Sequence, residues 1–136
     1  MNRRDFQELS DRRIREAKVL FDAGEYSGAY YLAGYSIECA LKACFAKGVK
    51  RFDFPDKNVQ KIFTHKLTDL VVLAGLKDEL LSTEQTNSNF AARWALVGKW
   101  TEESRYSMRT KDDAAAIIEA ITKAKDGVLP WIKQRW

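Results

Sequence analysis

The chain's single histidine, His65, stands between Thr64 and Lys66 at the predicted start of a helix. Histidine titrates near neutral pH and is the side chain best suited to moving protons there. The free N–H groups and the dipole of a helix N-terminus attract anions. The sequence therefore identifies His65 and Lys66 as candidate nucleotide- or RNA-binding residues. A helix-capping or interhelical hydrogen bond is the alternative role for the imidazole.

A second candidate group lies in the predicted connection that follows Trp100: Arg105, Tyr106 and Arg109. An arginine beside an aromatic ring can stack on a base and hold a phosphate. Loops on a rigid scaffold often carry binding residues. The sequence predicts that this group holds phosphate together with His65 and Lys66. The alternative is that the preceding pair of glutamates neutralises the arginines.

Glu38 and Lys42 are four residues apart in a predicted helix, in the order that favours an ion pair. A buried polar role at a dimer or nucleotide site is the alternative.

The cysteines Cys39 and Cys44 are five residues apart, which places them about 140° apart around a helix. This spacing predicts two buried free thiols rather than a disulfide or a metal site.

Common catalytic and cofactor signatures are missing from the sequence. It has one histidine and no metal-ligand spacing, glycine-rich phosphate loop or nucleophile elbow. We therefore assign no catalytic residue, no metal and no cofactor. The net charge of +4 permits contact with nucleic acid but does not establish it.

Length and composition indicate a globular protein with a single domain over residues 1–136. Hydrophobic residues make up 46% and charged residues 31%, which excludes a disordered tail. Seven glycines and two prolines exclude collagen-like and proline-rich chains. With no apolar run of about 18 residues and no signal-peptide pattern, the sequence predicts a cytoplasmic location and no membrane contact.

Apolar residues recur at spacings of three and four along nearly the whole chain, which predicts helices. The predicted helices cover residues 4–23, 27–47, 64–74, 77–84, 90–100 and 111–124, with a short last turn at 131–136. Ser27 and Thr110 are the predicted N-caps, Gly24, Gly48, Gly75 and Gly127 the predicted ends, and Pro130 the predicted first residue of the last turn. Residues 50–60 and 101–109 are predicted loops. The fold class is therefore all-α, an up-and-down bundle of four to five main helices around the small-residue-rich second helix.

Several short segments form a recognisable pattern. They are Glu16-Ala17 with Leu20, Gly24-Glu25-Tyr26, Ala29-Tyr30-Tyr31-Leu32-Ala33, Ile37 to Ala43, and Thr64-His65-Lys66-Leu67-Thr68-Asp69-Leu70. This pattern resembles a HEPN domain, and the last segment is similar to the family's Thr-His-x-Leu-x-x-Leu. Ser104-Arg105-Tyr106 and the segment from Gly127 to Ile132 resemble a widespread bacterial subgroup of the family.

The resemblance implies a helical bundle that dimerises in a toxin–antitoxin or defence setting. Many HEPN domains are metal-independent RNases, whereas others bind nucleotides or are inactive interaction modules. The RNase members carry an arginine followed, after four to six residues, by a histidine. Counted back from His65, that arginine would occupy position 58, 59 or 60, where this sequence has Asn58, Val59 and Gln60. The RNase motif of the family is absent.

Three functions follow from the residues and the resemblance together. The first is a dimeric HEPN-like module that binds nucleotide, RNA or a partner protein such as an antitoxin. The second is a metal-independent RNase with rearranged catalytic groups, and the third is a structural dimerisation or adaptor domain. The sequence favours the first, and the missing motif weighs against an enzyme.

Overall fold

Helices dominate the part of the chain that the structure describes. The computed structural model describes the backbone of residues 1–52 and 63–136 and the side chains of residues 1–48 and 63–136. Its elements are α1 (Arg3–Asp22), α2 (Tyr26–Phe52), α3 (Leu67–Leu73), α4 (Lys77–Thr86), α5 (Ser88–Val97), a 3₁₀ helix (Glu102–Tyr106), α6 (Lys111–Thr122) and α7 (Val128–Lys133). These ranges contain no β-strand, and the predicted all-α bundle is confirmed.

The central element is α2, as its small residues predict. It packs against α1, α3, α6, α7 and the 3₁₀ helix. Its alanines at 29, 33, 40 and 43 are completely buried. The Trp100 ring lies so close to the backbone of Gly34 that a Cβ atom there would overlap the indole. Across residues 1–52 and 63–136, no helix is long and apolar enough to cross a membrane.

A tight turn separates α1 from α2. The N–H of Glu25 donates to the Leu20 carbonyl at 2.8 Å, and the N–H of Gly24 donates to the Phe21 carbonyl at 3.0 Å. This Schellman pattern needs a left-handed residue, and Gly24 has φ +82°. Gly75, with φ +74°, ends α3 in the same way. Both predicted glycine stops are confirmed.

One predicted N-cap is confirmed and the other is wrong. The Thr110 hydroxyl accepts a hydrogen bond from the Asp113 N–H, and the Asp113 carboxylate accepts one from the Thr110 N–H. Ser27 is not a cap, because α2 already begins at Tyr26. Its hydroxyl instead accepts from the backbone N–H of Arg109 at 2.9 Å. That bond ties the approach to α6 onto α2.

Two predicted boundaries on either side of the connection between α2 and α3 are wrong. The helix α2 continues past Gly48 to Phe52, since an interior glycine costs only about 1 kcal/mol relative to alanine. The predicted loop at 50–60 therefore loses residues 50–52, and its remainder, with Pro55 and positions 58–60, lies outside the described residues. The helix predicted from Thr64 begins at Leu67.

The C-terminal boundaries also differ from the prediction. α6 ends at Thr122, and Gly127 is the N-cap of α7 rather than the end of α6. Pro130 is the third residue of α7, not the first. It still lies in the first turn, where N–H groups have no intrahelical partner, so proline is tolerated. The predicted loop at 101–109 contains the 3₁₀ helix.

Cys39 and Cys44 are free and buried, as predicted. Burial raises the pKa of the Cys39 thiol to about 12 and that of Cys44 to about 11. The thiolate is the reactive form of cysteine, so both side chains are inert in the folded protein.

We expect neither thiol to react with an aromatic disulfide reagent near neutral pH, and both to react once urea unfolds the chain. Rapid labelling of the native protein would contradict the buried placement.

The free energy of unfolding also depends on pH through these thiols, because cysteine in the unfolded chain ionises near its ordinary pKa of 9.0, whereas the buried thiols stay protonated. Their contribution to stability is complete below about pH 9 and is lost as the pH rises from there through the folded pKa values.

Candidate functional site

A buried carboxylate on α2 is the first feature of the site. Glu38 is only 1% exposed and meets two partners. Lys42 Nζ lies 3.5 Å from its Oε2, and His65 Nδ1 lies 2.7 Å from its Oε1. A buried charge needs such partners, because leaving it unpaired in a low-dielectric interior is costly.

His65 connects α2 to the 3₁₀ helix. Its Nδ1 faces Glu38, and its Nε2 lies 3.1 Å from Glu102 Oε2. We call Glu38, His65 and Glu102 the histidine bridge. The contact with Glu38 is a hydrogen bond, whereas the contact with Glu102 is a close approach of a ring nitrogen to a carboxylate oxygen. The two carboxylates lie at opposite nitrogens of the ring, and the described ranges hold no cluster of such side chains that could hold a metal ion.

A groove of about 420 Å³ opens beside this bridge. Its lining residues are Phe63, Thr64, His65, Lys66, Thr101, Glu102 and Glu103. A phosphate in this groove would meet two carboxylates on the 3₁₀ helix and one lysine. The predicted attraction of an anion to a helix N-terminus is also weak here, because α3 is only seven residues long. The electrostatics therefore do not favour phosphate at His65 and Lys66.

Arg105 and Tyr106 are displayed on the surface of the 3₁₀ helix. The Arg105 guanidinium lies 4.8 Å from the centre of the Tyr106 ring. The Tyr106 side chain is 77% exposed. The interaction with Tyr106 is the largest cause of a raised pKa at Arg105, a group that is charged in any case. The Arg105 guanidinium and the Tyr106 ring are therefore both exposed to solvent and lie side by side.

The residues that immediately precede this pair fix the 3₁₀ helix to the core. Ser104 is buried, and its N–H donates to the Thr101 carbonyl at 3.0 Å. Trp100, just before the helix, is 1% exposed and stacks on Tyr31 of α2 with ring centres 5.9 Å apart. The Arg105–Tyr106 pair is therefore carried by an anchored element and not by a free loop.

Arg109 does not join the pair. Its guanidinium lies 4.2 Å from the centre of the Tyr30 ring near the start of α2. Tyr30 and Glu38 are eight residues apart on α2, or about 12 Å along the axis. Arg109 is therefore separated from the histidine bridge, whereas the Arg105–Tyr106 pair lies on the same 3₁₀ helix as Glu102 of that bridge.

A family model described as the HEPN domain matches residues 4–126, which is most of the chain. The chain belongs to the HEPN family. Neither the curated proteins nor the solved structures gave a match. In this HEPN domain, no arginine precedes His65 with four to six residues between them, so the family match does not bring the RNase motif with it.

The two partners of His65 in this HEPN domain could not be predicted from the sequence. Its contacts with Glu38 and Glu102 join segments far apart in the chain, and no local spacing indicates them. One signal was present: Glu38 is a lone carboxylate within a stretch of small and apolar residues. Charged residues are almost never fully buried unless paired, so a partner from another segment was required.

Proposed function

We propose that this HEPN domain binds single-stranded RNA or nucleotides through Arg105 and Tyr106, acting as a homodimer in a toxin–antitoxin or defence setting. The observation that carries the proposal is the exposed guanidinium packed on an exposed ring, on a 3₁₀ helix fixed to the core. The dimer and the biological setting rest on the family alone.

The chemistry of the pair suits a nucleotide. The Tyr106 ring offers a face on which any base can stack, a contact worth about 1–3 kcal/mol per base. The Arg105 fork matches two phosphate oxygens. Lys66 adds positive charge near the 3₁₀ helix, whereas Glu102 and Glu103 keep phosphate away from the groove itself.

The test is a titration of fluorescently labelled single-stranded RNA against the wild type and variants. Tyr106→Ala is expected to weaken binding about 5- to 150-fold, the equivalent of one lost stacking contact. Arg105→Ala is expected to lower the slope of log affinity against log salt by about 0.7, the share of one phosphate contact. Tyr106→Phe keeps the ring and is expected to keep most of the affinity.

Arg4→Ala is the matched control for charge, because it removes one exposed arginine from α1. It is expected to leave RNA affinity nearly unchanged. Equal losses in Arg4→Ala and Arg105→Ala would show that only net charge matters and would overturn the proposed site. No binding by the wild type would favour the adaptor function.

A metal-independent RNase is the second candidate, and the histidine bridge is what favours it. The buried Glu38 carboxylate holds one imidazole nitrogen and so orients the other, as the carboxylate does in acid–base catalysis. Against it, Glu102 occupies that second nitrogen. The test is to incubate the protein with the same labelled RNA in EDTA. We expect the RNA to stay intact. Cleavage by the wild type that is lost in a folded His65→Ala variant would establish the RNase.

A further inference from the structure

A second groove, of about 340 Å³, lies between α1 and α2 and takes no part in the proposed RNA site. Its lining residues are Arg12, Arg15, Glu16, Val19, Leu20 and Leu32. Leu20 and Leu32 are half-buried, while the Val19 side chain is 68% exposed. An apolar floor open to water on a helical surface is a common feature of sites that bind other proteins. We call it the α1–α2 groove.

The rim of this groove carries unbalanced positive charge. Arg12 and Arg15 are exposed, and neither takes part in an ion pair with the described residues. The one carboxylate of the groove, on Glu16, is already paired with Arg13 at 2.6 Å. A partner with negative charge on both sides of an apolar stripe would match this arrangement.

A second copy of the chain is a poor occupant. In a two-fold symmetric contact the same patch faces itself, so two surfaces with the same excess of positive charge from Arg12 and Arg15 would be brought together. RNA is also a poor occupant, because the lining contains no aromatic ring on which a base could stack. The floor of aliphatic side chains would be left without a complementary surface.

We propose that the α1–α2 groove binds an acidic amphipathic helix of a partner protein. The apolar side chains of that helix pack on Val19, Leu20 and Leu32, and its carboxylates pair with Arg12 and Arg15. This mode of recognition places a helix in a groove, with anchors spaced three and four residues apart. The proposal is independent of RNA binding by Arg105 and Tyr106.

Two matched display libraries of helical peptides of about 16 residues provide the probe. Such a helix is about 24 Å long and so covers the stretch of α1 from Arg12 to Leu20, which is about 12 Å long. Both have leucines at i, i+4 and i+7, and their flanking positions are enriched in glutamate in one library and in lysine in the other. The acidic library is expected to yield binders that Arg12→Glu/Arg15→Glu and Val19→Asp each weaken about 10-fold or more. Arg4→Glu/Lys18→Glu, the same charge change on α1 outside the groove, is expected to leave them unaffected.

Charge exchange separates recognition from misfolding. The lysine counterpart of a selected acidic peptide should bind the Arg12→Glu/Arg15→Glu variant better than the wild type, which a damaged fold would not produce. The proposal is overturned if the acidic library yields no binder, or if the groove variants bind the selected acidic peptides as tightly as the wild type does. It is also overturned if the basic library yields binders of the wild type with equal affinity. It is also overturned if Val19→Asp dissociates a homodimer, or if the arginine variant loses RNA more strongly than Arg105→Ala does.

Discussion

Gly34→Ala is expected to lower the free energy of unfolding by about 1–3 kcal/mol, the usual cost of overpacking a core. Helix propensity alone predicts the opposite sign, since alanine in a helix is favoured over glycine by about 1 kcal/mol. We expect the steric overlap to outweigh the gain in helix propensity, because the new Cβ would overlap the buried Trp100 ring. Urea unfolding followed by circular dichroism measures the change.

Gly48→Ala, on the same helix, is the matched control. Around Gly48 a Cβ meets no described atom within 4 Å, so alanine there is expected to stabilise by up to about 1 kcal/mol. Trp100→Ala alone is expected to lower stability by about 3–5 kcal/mol. In the double variant with Trp100→Ala, the Gly34→Ala change should cause little further loss of stability, because the indole that the new Cβ would overlap is no longer there. Equal stability of Gly34→Ala and the wild type would contradict this packing.

Glu38→Ala is expected to lower the free energy of unfolding by about 3–5 kcal/mol, as is typical when one partner of a buried ion pair is removed. The change leaves Lys42, whose side chain is only 12% exposed, without its carboxylate. It also removes the partner of His65 Nδ1. Glu38→Gln, which retains an oxygen acceptor, is expected to lose less.

The exposed pair Arg4–Glu8 provides the control, because it has the same four-residue separation on a helix. Glu8→Ala is expected to change stability by less than about 0.5 kcal/mol. Replacing both members of the buried pair, with Glu38→Leu and Lys42→Met, should restore part of the loss, since no charge is then left unpaired. A Glu38→Ala loss as small as that of Glu8→Ala would contradict the burial of the pair.

Local signals in the sequence predicted much of the fold. Gly24 and Gly75 end their helices because the turns need positive φ, and Thr110 with Asp113 satisfies the first N–H groups of α6. Such features depend on a few neighbouring residues. Gly48 misled the prediction, because an interior glycine is tolerated where α2 continues.

The candidate site was predicted only in part. Arg105 and Tyr106 are adjacent in the chain, so their pairing could be read from the sequence. Arg109 was grouped with them by proximity in sequence, yet its guanidinium packs on Tyr30 of α2. The histidine bridge joins three segments, and only tertiary packing brings those together.

The most direct test of RNA binding by Arg105 and Tyr106 is to locate the contact. Ultraviolet crosslinking of a bound uridine-rich RNA, followed by trypsin digestion and mass spectrometry, identifies the crosslinked peptide. Trypsin cleaves after Arg105 and Arg109, so Tyr106 lies in the peptide spanning residues 106–109. We expect a crosslink at Tyr106 that is lost in Tyr106→Ala. Crosslinks confined to α1 or to residues 63–66 would contradict it.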